Sequence, residues 1–192
     1  MFRTILSTVT LCLLGLTSAG FAKGSCPKVA LQENFDVSSY TGVWYEQARD
    51  KAFPQEKFDC NTASYSLNND NSLKVHNQEY DFTSGKFNDI IGKATCDAKD
   101  KSRCKVDFNL GFAGDYRVVA TDYTSYAIVY SCEEVPLLGR AELTWVLSRT
   151  PKISNDAEVT VRAFLNERLP FYNLDQFHSA IQGGQCPYYF SE

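Results

Sequence analysis

Few residues in this chain have the types and spacing that covalent chemistry requires. Its two histidines, His76 and His178, lie far apart in sequence and lack the spacing of metal ligands. The chain contains no G-x-S-x-G, G-x-G-x-x-G or P-loop motif, so it offers neither a nucleophile elbow nor a phosphate cradle. Glu133 and Glu134 fall in a predicted loop, where solvation explains them better than acid–base catalysis. We therefore predict no catalytic residue, no metal site and no cofactor.

The seven cysteines are the other reactive side chains. Cys12 falls in segment 1–22, which has Arg3 near its start, an apolar run over 8–16 and small residues near its end. This pattern predicts a secretory signal peptide followed by one domain over 23–192. The six remaining cysteines are an even set, which is normally fully paired in an oxidising compartment, although composition does not decide the pairing. We expect a secreted protein without a free thiol.

The charge pattern argues against a nucleic-acid partner. The formal net charge of −4 comes from scattered acids and bases. The densest basic stretch, 99–105, is interleaved with Asp97, Asp100 and Asp107, which is typical of a solvated hairpin tip. We expect neither nucleic-acid binding nor a transmembrane segment in the mature chain.

The elements that position the remaining side chains are short strands. Between residues 42 and 149, runs of Tyr, Phe, Val, Ile and Thr alternate with turn-rich stretches, which predicts about eight antiparallel strands. The predicted bounds are 42–50, 60–67, 73–80, 86–96, 104–109, 115–121, 125–132 and 142–149.

One helix is predicted after the strands. Asn155 is its expected N-cap, and the helix ends before Pro170. Its apolar stripe is Ala157, Val161, Phe164 and Leu165. We predict an all-β fold, an eight-stranded antiparallel up-and-down β-barrel with a C-terminal α-helix packed on the outside, because closure removes exposed strand edges.

Three segments carry a resemblance to a known family. Segment 34–46, Asn-Phe-Asp-Val-Ser-Ser-Tyr-Thr-Gly-Val-Trp-Tyr-Glu, resembles the first signature of the lipocalins, in which a helical turn leads to Gly-x-Trp in the first strand. Segment 121–123, Thr-Asp-Tyr, and Arg149 within Ser-Arg-Thr-Pro match two further family signatures in the same order. Segments 77–79, 119–123 and 126–132 are similar to the bilin-binding and apolipoprotein D-like branch.

The resemblance implies that one end of the barrel is closed. The closing residues are Gly42, Trp44, Thr121, Asp122, Tyr123 and Arg149. The Trp44 ring is expected to plug the narrow end, and a guanidinium over that ring adds about 1–2 kcal/mol when sheltered from water. We expect Asp122 to accept backbone N–H groups in its turn.

The resemblance also implies two disulfides, Cys26–Cys132 and Cys60–Cys186. It leaves Cys96 with Cys104, at facing ends of two predicted strands where a cross-strand bridge is geometrically reasonable.

Strand alternation predicts the cavity lining. Arg149 must point inward to reach Trp44, so Leu143, Trp145 and Leu147 share its face. The resemblance places Tyr65, Leu67, Val75 and Asn77 inward. Tyr65 and Asn77 are expected to orient an otherwise apolar ligand by hydrogen bonds. The alternative is that these side chains fill a solid core, and the inward set of 115–121 and 125–132 stays open because both faces are apolar.

The loops at the opposite, open end carry large apolar side chains. They are Phe53, Phe82, Leu110, Phe112, Leu137 and Leu138. This rim predicts either a lid that folds inward or a surface that contacts lipid or lipoprotein particles.

Together these features predict extracellular binding and transport of a small hydrophobic ligand, of the fatty acid, sterol, retinoid or tetrapyrrole class. Two alternatives remain. One is a secreted protein that acts through protein contacts made by the open-end loops. The other is a thiol-dependent ligand isomerase, which would need an unpaired cysteine.

Overall fold

The computed structural model describes residues 21–51 and 58–188. Strand β1 (Phe21–Ala22) and a one-turn helix α1 (Val37–Tyr40) precede the barrel. The barrel strands are β2 (Gly42–Asp50), β3 (Asp59–Leu67), β4 (Leu73–Asp81), β5 (Lys86–Cys96), β6 (Arg103–Asp107), β7 (Ala113–Thr121), β8 (Tyr126–Val135) and β9 (Gly139–Ser148). Helix α2 (Asn155–Arg168), a 3₁₀ turn (Leu174–Gln176) and strand β10 (Phe177–Ser179) follow.

The eight strands β2 to β9 form a closed antiparallel meander. Each pairs with the next along the chain, and β2 also pairs with β9, which closes the barrel. Strand β1 adds to β9, and β10 adds to β2. The predicted fold, including the helix after the barrel, is confirmed.

Two local predictions are wrong. Glu133 and Glu134 lie in β8 and not in a loop, because the β8–β9 ladder continues to the pair Val135 and Gly139. The N-cap of α2 is Ser154, not Asn155, since the Ser154 side chain accepts the hydrogen bond from the Ala157 backbone N–H. The end of α2 before Pro170 is as predicted.

Two hydrophobic clusters lie on opposite sides of the barrel wall. The outer cluster joins Val161 and Leu165 of α2 to Ile128 and Val146 of the barrel. The inner cluster includes Trp44, Tyr40, Tyr65, Val75, Val118, Ala127 and Val129. The helix therefore decides which face of β8 points inward, since Ile128 lies beneath α2.

Three disulfides hold the chain ends and one hairpin. They are Cys26–Cys132, Cys60–Cys186 and Cys96–Cys104, as predicted. The first two attach the N-terminal and C-terminal segments to β8 and β3, and the third joins register partners of β5 and β6.

The predicted leader lies mostly outside the described residues, which include only its last two positions, Phe21 and Ala22 of β1. Among the residues that the structure describes, no helix has the length and apolar character needed to cross a membrane.

Candidate functional site

The closed end of the barrel is built around Trp44, which is fully buried. Its Nε1 donates a hydrogen bond of 2.9 Å to the Tyr40 carbonyl oxygen. The Arg149 guanidinium lies 3.7 Å from the Trp44 ring centroid and donates to the carbonyl oxygens of Tyr123 at 2.8 Å and Val43 at 2.9 Å. Gly42 has φ of +95°, and a Cβ there would lie 3.3 Å from Arg149. Gly42 thus combines a left-handed backbone with close approach of the guanidinium.

The β7–β8 hairpin completes this end. Oδ1 of Asp122 accepts hydrogen bonds from the backbone N–H groups of Thr124, Ser125 and Tyr126, at 3.0, 2.7 and 3.1 Å. Partial burial raises the pKa of the Asp122 carboxyl, but these hydrogen bonds outweigh it and leave that pKa below its usual value. The hydroxyl of Thr121 donates to the Tyr126 carbonyl oxygen at 2.7 Å.

Above this floor lies a cavity of about 1050 Å³. This volume is slightly above the range of about 300–1000 Å³ that small-molecule pockets usually occupy. The interior is therefore not a solid core. The predicted residues that line it are Tyr65, Val75, Asn77, Leu143, Trp145 and Leu147.

Leu67 does not line the cavity and is 50% exposed, so its predicted position is wrong. It is the last residue of β3, two positions beyond Tyr65, which is already paired with Gly42 at the closed end. Alternation along a strand determines the face of a side chain but not its height in the barrel. Leu67 therefore lies below the floor.

Several lining residues were not predicted from the sequence. From β7 and β8 they include Tyr116, Val129, Ser131 and Glu133, and from other parts of the wall Glu46, Asn61, Ile90, Val106 and Phe108. The only sequence signal for the β8 set was the apolar stripe of α2, which covers Ile128 and so directs Val129 inward.

Three tyrosines share hydrogen bonds at the floor. The Tyr116 hydroxyl lies 2.8 Å from the Tyr40 hydroxyl and 3.0 Å from the Tyr65 hydroxyl. Burial raises the pKa values of Tyr40 and Tyr116 well above the usual value, and the neighbouring Tyr65 raises both further. These phenols are therefore neutral at physiological pH. We call Tyr40, Tyr65 and Tyr116 the phenol cluster.

The wall of β2 contains a buried ion pair. Nη1 of Arg49 lies 2.6 Å from Oε1 of Glu46, and both side chains are almost fully buried. Residues three apart on a regular strand face opposite sides, but the bulge between Glu46 and Ala48 brings these two together. Nη2 of Arg49 also donates to the Phe58 carbonyl oxygen at 3.0 Å.

One polar atom of the lining has no hydrogen-bond partner among the described residues. Oδ1 of Asn77 is buried and unsatisfied. Asn77 pairs with Ala63, two residue pairs closer to the open end than the pair Val75 and Tyr65. A buried amide group of this kind gains from a ligand that supplies its missing hydrogen bond.

The predicted rim lies in the loops at the open end. The described members, Phe82, Leu110, Phe112, Leu137 and Leu138, are exposed by fractions from 47% for Phe82 to 104% for Leu137. Leu110 and Phe112 also line the cavity. Phe53 lies outside the described residues. Within the described ranges, no group of three or more His, Cys, Asp or Glu residues is placed to hold a metal ion.

A closed barrel with one plugged end and a large, mostly apolar interior defines a β-barrel that binds small molecules. A family model described as a lipocalin-like domain matches residues 35–182. The chain belongs to the lipocalin family.

Named relatives and solved structures agree with this placement. The chain is 36% identical to apolipoprotein D of Mus musculus over 155 residues, which are 79% of this chain and 81% of that protein. It is 32% identical to Lazarillo protein of Schistocerca americana over 163 residues, 81% of this chain and 75% of that protein. The structure of insecticyanin from Manduca sexta has the same fold, with a TM-score of 0.79, 22% identity and coverage of 89% of this chain and 93% of that one.

Proposed function

We propose that this protein is a secreted carrier that binds a small hydrophobic ligand in the barrel cavity and performs no covalent chemistry on it. The observation that carries the proposal is the cavity of about 1050 Å³ above a floor closed by Trp44 and Arg149. Lipocalins bind small hydrophobic ligands inside such a barrel. The six cysteines of the described chain are all paired, which fits an oxidising compartment and removal of segment 1–22 as a leader.

Apolar burial supplies enough free energy for useful affinity. A ligand that buries about twelve methylene groups gains roughly 10 kcal/mol before the costs of association. Those costs leave dissociation constants in the micromolar to nanomolar range. A thiol-dependent isomerase has less support, because all six cysteines of the described residues are in disulfides.

Native mass spectrometry of the secreted protein, followed by organic extraction, tests the proposal. We expect a bound apolar molecule that Ser131→Phe displaces, because Ser131 lines the cavity. Ser66→Phe is the matched control, since Ser66 is exposed on β3. The proposal fails if the native protein contains no bound ligand and also binds none of the added apolar probes. It also fails if Ser131→Phe binds the ligand as tightly as Ser66→Phe does, because the cavity is then not the ligand site.

The exposed rim supports a second role, peripheral contact with lipid surfaces during loading or release. Leu137 and Leu138 form a tight turn between β8 and β9, and Leu137 has a positive φ of 69° and is fully exposed. Contiguous apolar residues around one opening are typical of contact sites.

Replacement of Phe82, Leu137 and Leu138 by serine, which leaves the cavity-lining Leu110 and Phe112 in place, tests this role by flotation with phosphatidylcholine vesicles. We expect lost flotation with unchanged ligand affinity. Val159→Ser is the control, because Val159 is 69% exposed on α2, away from the rim. If the wild-type protein does not float with the vesicles and the triple variant binds ligand more weakly, the rim residues form a lid over the cavity. A role in protein contacts would be shown by a partner protein whose binding is lost in the loop variant and is unaffected by a substitution that fills the cavity.

A further inference from the structure

The phenol cluster has one proton more than its own hydrogen bonds use. Three hydroxyls supply three protons, and the two contacts of 2.8 and 3.0 Å at Tyr116 use one proton each. Tyr65 and Tyr116 line the cavity, whereas Tyr40 is buried in the floor. When Tyr40 and Tyr65 both donate to Tyr116, the Tyr116 proton is directed to a further acceptor. In that arrangement, the Tyr116 hydroxyl donates a hydrogen bond to an oxygen at the deep end of a ligand.

None of the described side chains that surround this donor is a cation. The side chains around the floor are Phe35, Tyr40, Tyr65, Leu73, Ala94, Cys104, Val106, Tyr116 and Val118, none of which is charged. Arg149 lies against the Trp44 ring at 3.7 Å and donates to backbone carbonyl oxygens at the closed end. Arg149 is near enough to lower the pKa of Tyr40, but its N–H groups already donate to backbone carbonyl oxygens. A carboxylate placed on the floor would therefore be a buried charge without a hydrogen-bonded counter-ion, which is unfavourable. The acceptor must therefore be uncharged.

The upper wall does not favour an anionic head group either. Glu46, Glu79 and Glu133 line it on three different strands. The lysine of the lining, Lys105, lies 2.7 Å from the Glu133 carboxylate and 3.7 Å from that of Asp115. Arg49 and Lys105 are already paired with Glu46 and Glu133, so a fatty acid in the reverse orientation would have to compete with these carboxylates for a cation.

Asn77 adds a second polar contact. It lies two residues above Val75 on the same face of β4, which corresponds to about 7 Å along the strand. Its buried Oδ1 accepts no hydrogen bond from the described residues. A ligand hydroxyl at that height would donate to it.

We propose that the cavity selects a neutral, oxygenated lipid that binds with an uncharged acceptor oxygen on the phenol cluster, and that it discriminates against fatty acid anions. This inference rests on the proposed function, because it names the ligand class of the same cavity.

Three probes of similar length test it: methyl tridecyl ketone, myristic acid and hexadecane, each titrated against tryptophan emission at neutral pH. We expect the ketone to bind about tenfold more tightly than myristate, since only myristate buries a charge. Tyr116→Phe should weaken ketone binding about fivefold, the effect of one hydrogen bond, and leave hexadecane binding unchanged. Tyr126→Phe is the matched control, because Tyr126 lies in the outer cluster, on the other side of the wall.

A second measurement uses the wild type alone. Lowering the pH to about 4 protonates myristic acid, and its affinity should rise toward that of the ketone. Equal binding of ketone and myristate at neutral pH would overturn the inference. The inference would also be overturned if Tyr116→Phe weakened the binding of hexadecane as much as that of the ketone. Failure of all three probes to bind would instead contradict the proposed function itself.

Discussion

Trp44 is covered on one face by the Arg149 guanidinium and lies 5.0 Å, centroid to centroid, from the Tyr40 ring. Few other residues could fill this volume while donating to the Tyr40 carbonyl oxygen. Trp44→Ala should lower the free energy of unfolding by about 3–5 kcal/mol, the typical cost of truncating a large buried side chain. Urea denaturation measures the loss. Trp44→Phe should lose less, and equal losses would show that ring volume does not hold the closed end.

The second tryptophan reports on the cavity. Trp145 lines it, whereas Trp44 lies beneath the floor. We expect an apolar ligand to quench the emission of Trp145 and leave that of Trp44 almost unchanged. Fluorescence titration of Trp145→Phe should therefore show no quenching while the fold survives. Persistent quenching in that variant would place the ligand elsewhere.

Residue-level prediction succeeded where one anchor set the phase of a strand. Arg149 had to reach Trp44, and alternation then brought Leu143 and Trp145 to the cavity wall. The prediction failed for Leu67, because alternation along a strand gives the face of a side chain but not its position along the barrel axis. The Glu46–Arg49 ion pair could not be predicted, since it depends on a β-bulge that the residue types in this segment do not indicate.

At the scale of elements, the three disulfides are not equivalent. Cys60–Cys186 spans 126 residues, whereas Cys96–Cys104 spans 8. In the loop-entropy model the long loop contributes nearly 5 kcal/mol and the short loop roughly 2.5 kcal/mol, both as upper estimates. Paired Cys→Ser variants should follow that order in thermal unfolding. The reverse order would show that native-state contacts outweigh unfolded-state entropy.

Two interior glycines give a matched pair of variants. A Cβ at Gly92 of β5 would lie 2.6 Å from the Phe108 ring and 2.7 Å from the Asp107 carbonyl oxygen. At Gly114 of β7 the nearest atom would be the Val106 carbonyl oxygen, at 3.9 Å. Gly92→Ala should destabilise the protein by about 1–3 kcal/mol, the usual cost of overpacking, and displace Phe108.

Gly114→Ala should leave the free energy of unfolding within about 0.5 kcal/mol of the wild type, because the added methyl group makes only ordinary van der Waals contact with its neighbours. Chemical denaturation of both variants measures the difference. Equal effects would mean that Phe108 moves freely and does not pack on β5.

The barrel strands were predictable because their apolar alternation is interrupted by turn residues, and each pairs with its sequence neighbour. Strands β1 and β10 were not predictable. Each has two or three residues and pairs with a strand far away in the chain, so no local pattern marks it. The N-cap of α2 was misplaced by one position because Ser154 and Asn155 are both good capping residues.

At the scale of the whole molecule, the turns of the closed end contain carboxylates with lowered pKa values, among them Asp70, Asp100 and the two capping residues Asp36 and Asp122. Asp36 caps α1 by accepting hydrogen bonds from the Ser39 and Ser38 side chains and backbone, which lower its pKa to about 2. Asp122 caps the β7–β8 hairpin, and its pKa is also below the usual value. Both pKa values are lower in the folded state, so the stabilisation is present above about pH 4 and is lost as the pH falls toward 2.

We therefore expect acid to loosen the closed end first. Near-ultraviolet circular dichroism, which reports on the packing of Trp44, should change between about pH 4 and 2. In Asp36→Asn this change should shrink, because the variant no longer titrates there. Asp156→Asn on α2 is the control, and an identical shrinkage in it would assign the transition to another region.

The plugged floor also determines how the occupant is exchanged. Trp44 and Arg149 close the barrel beneath the cavity, so an incoming molecule meets only the trailing end of the one already bound. Replacement then proceeds dissociatively: the first molecule leaves before the second enters. The residence time becomes a property of the occupant and the opening alone, and a large excess of competitor leaves the release rate constant unchanged.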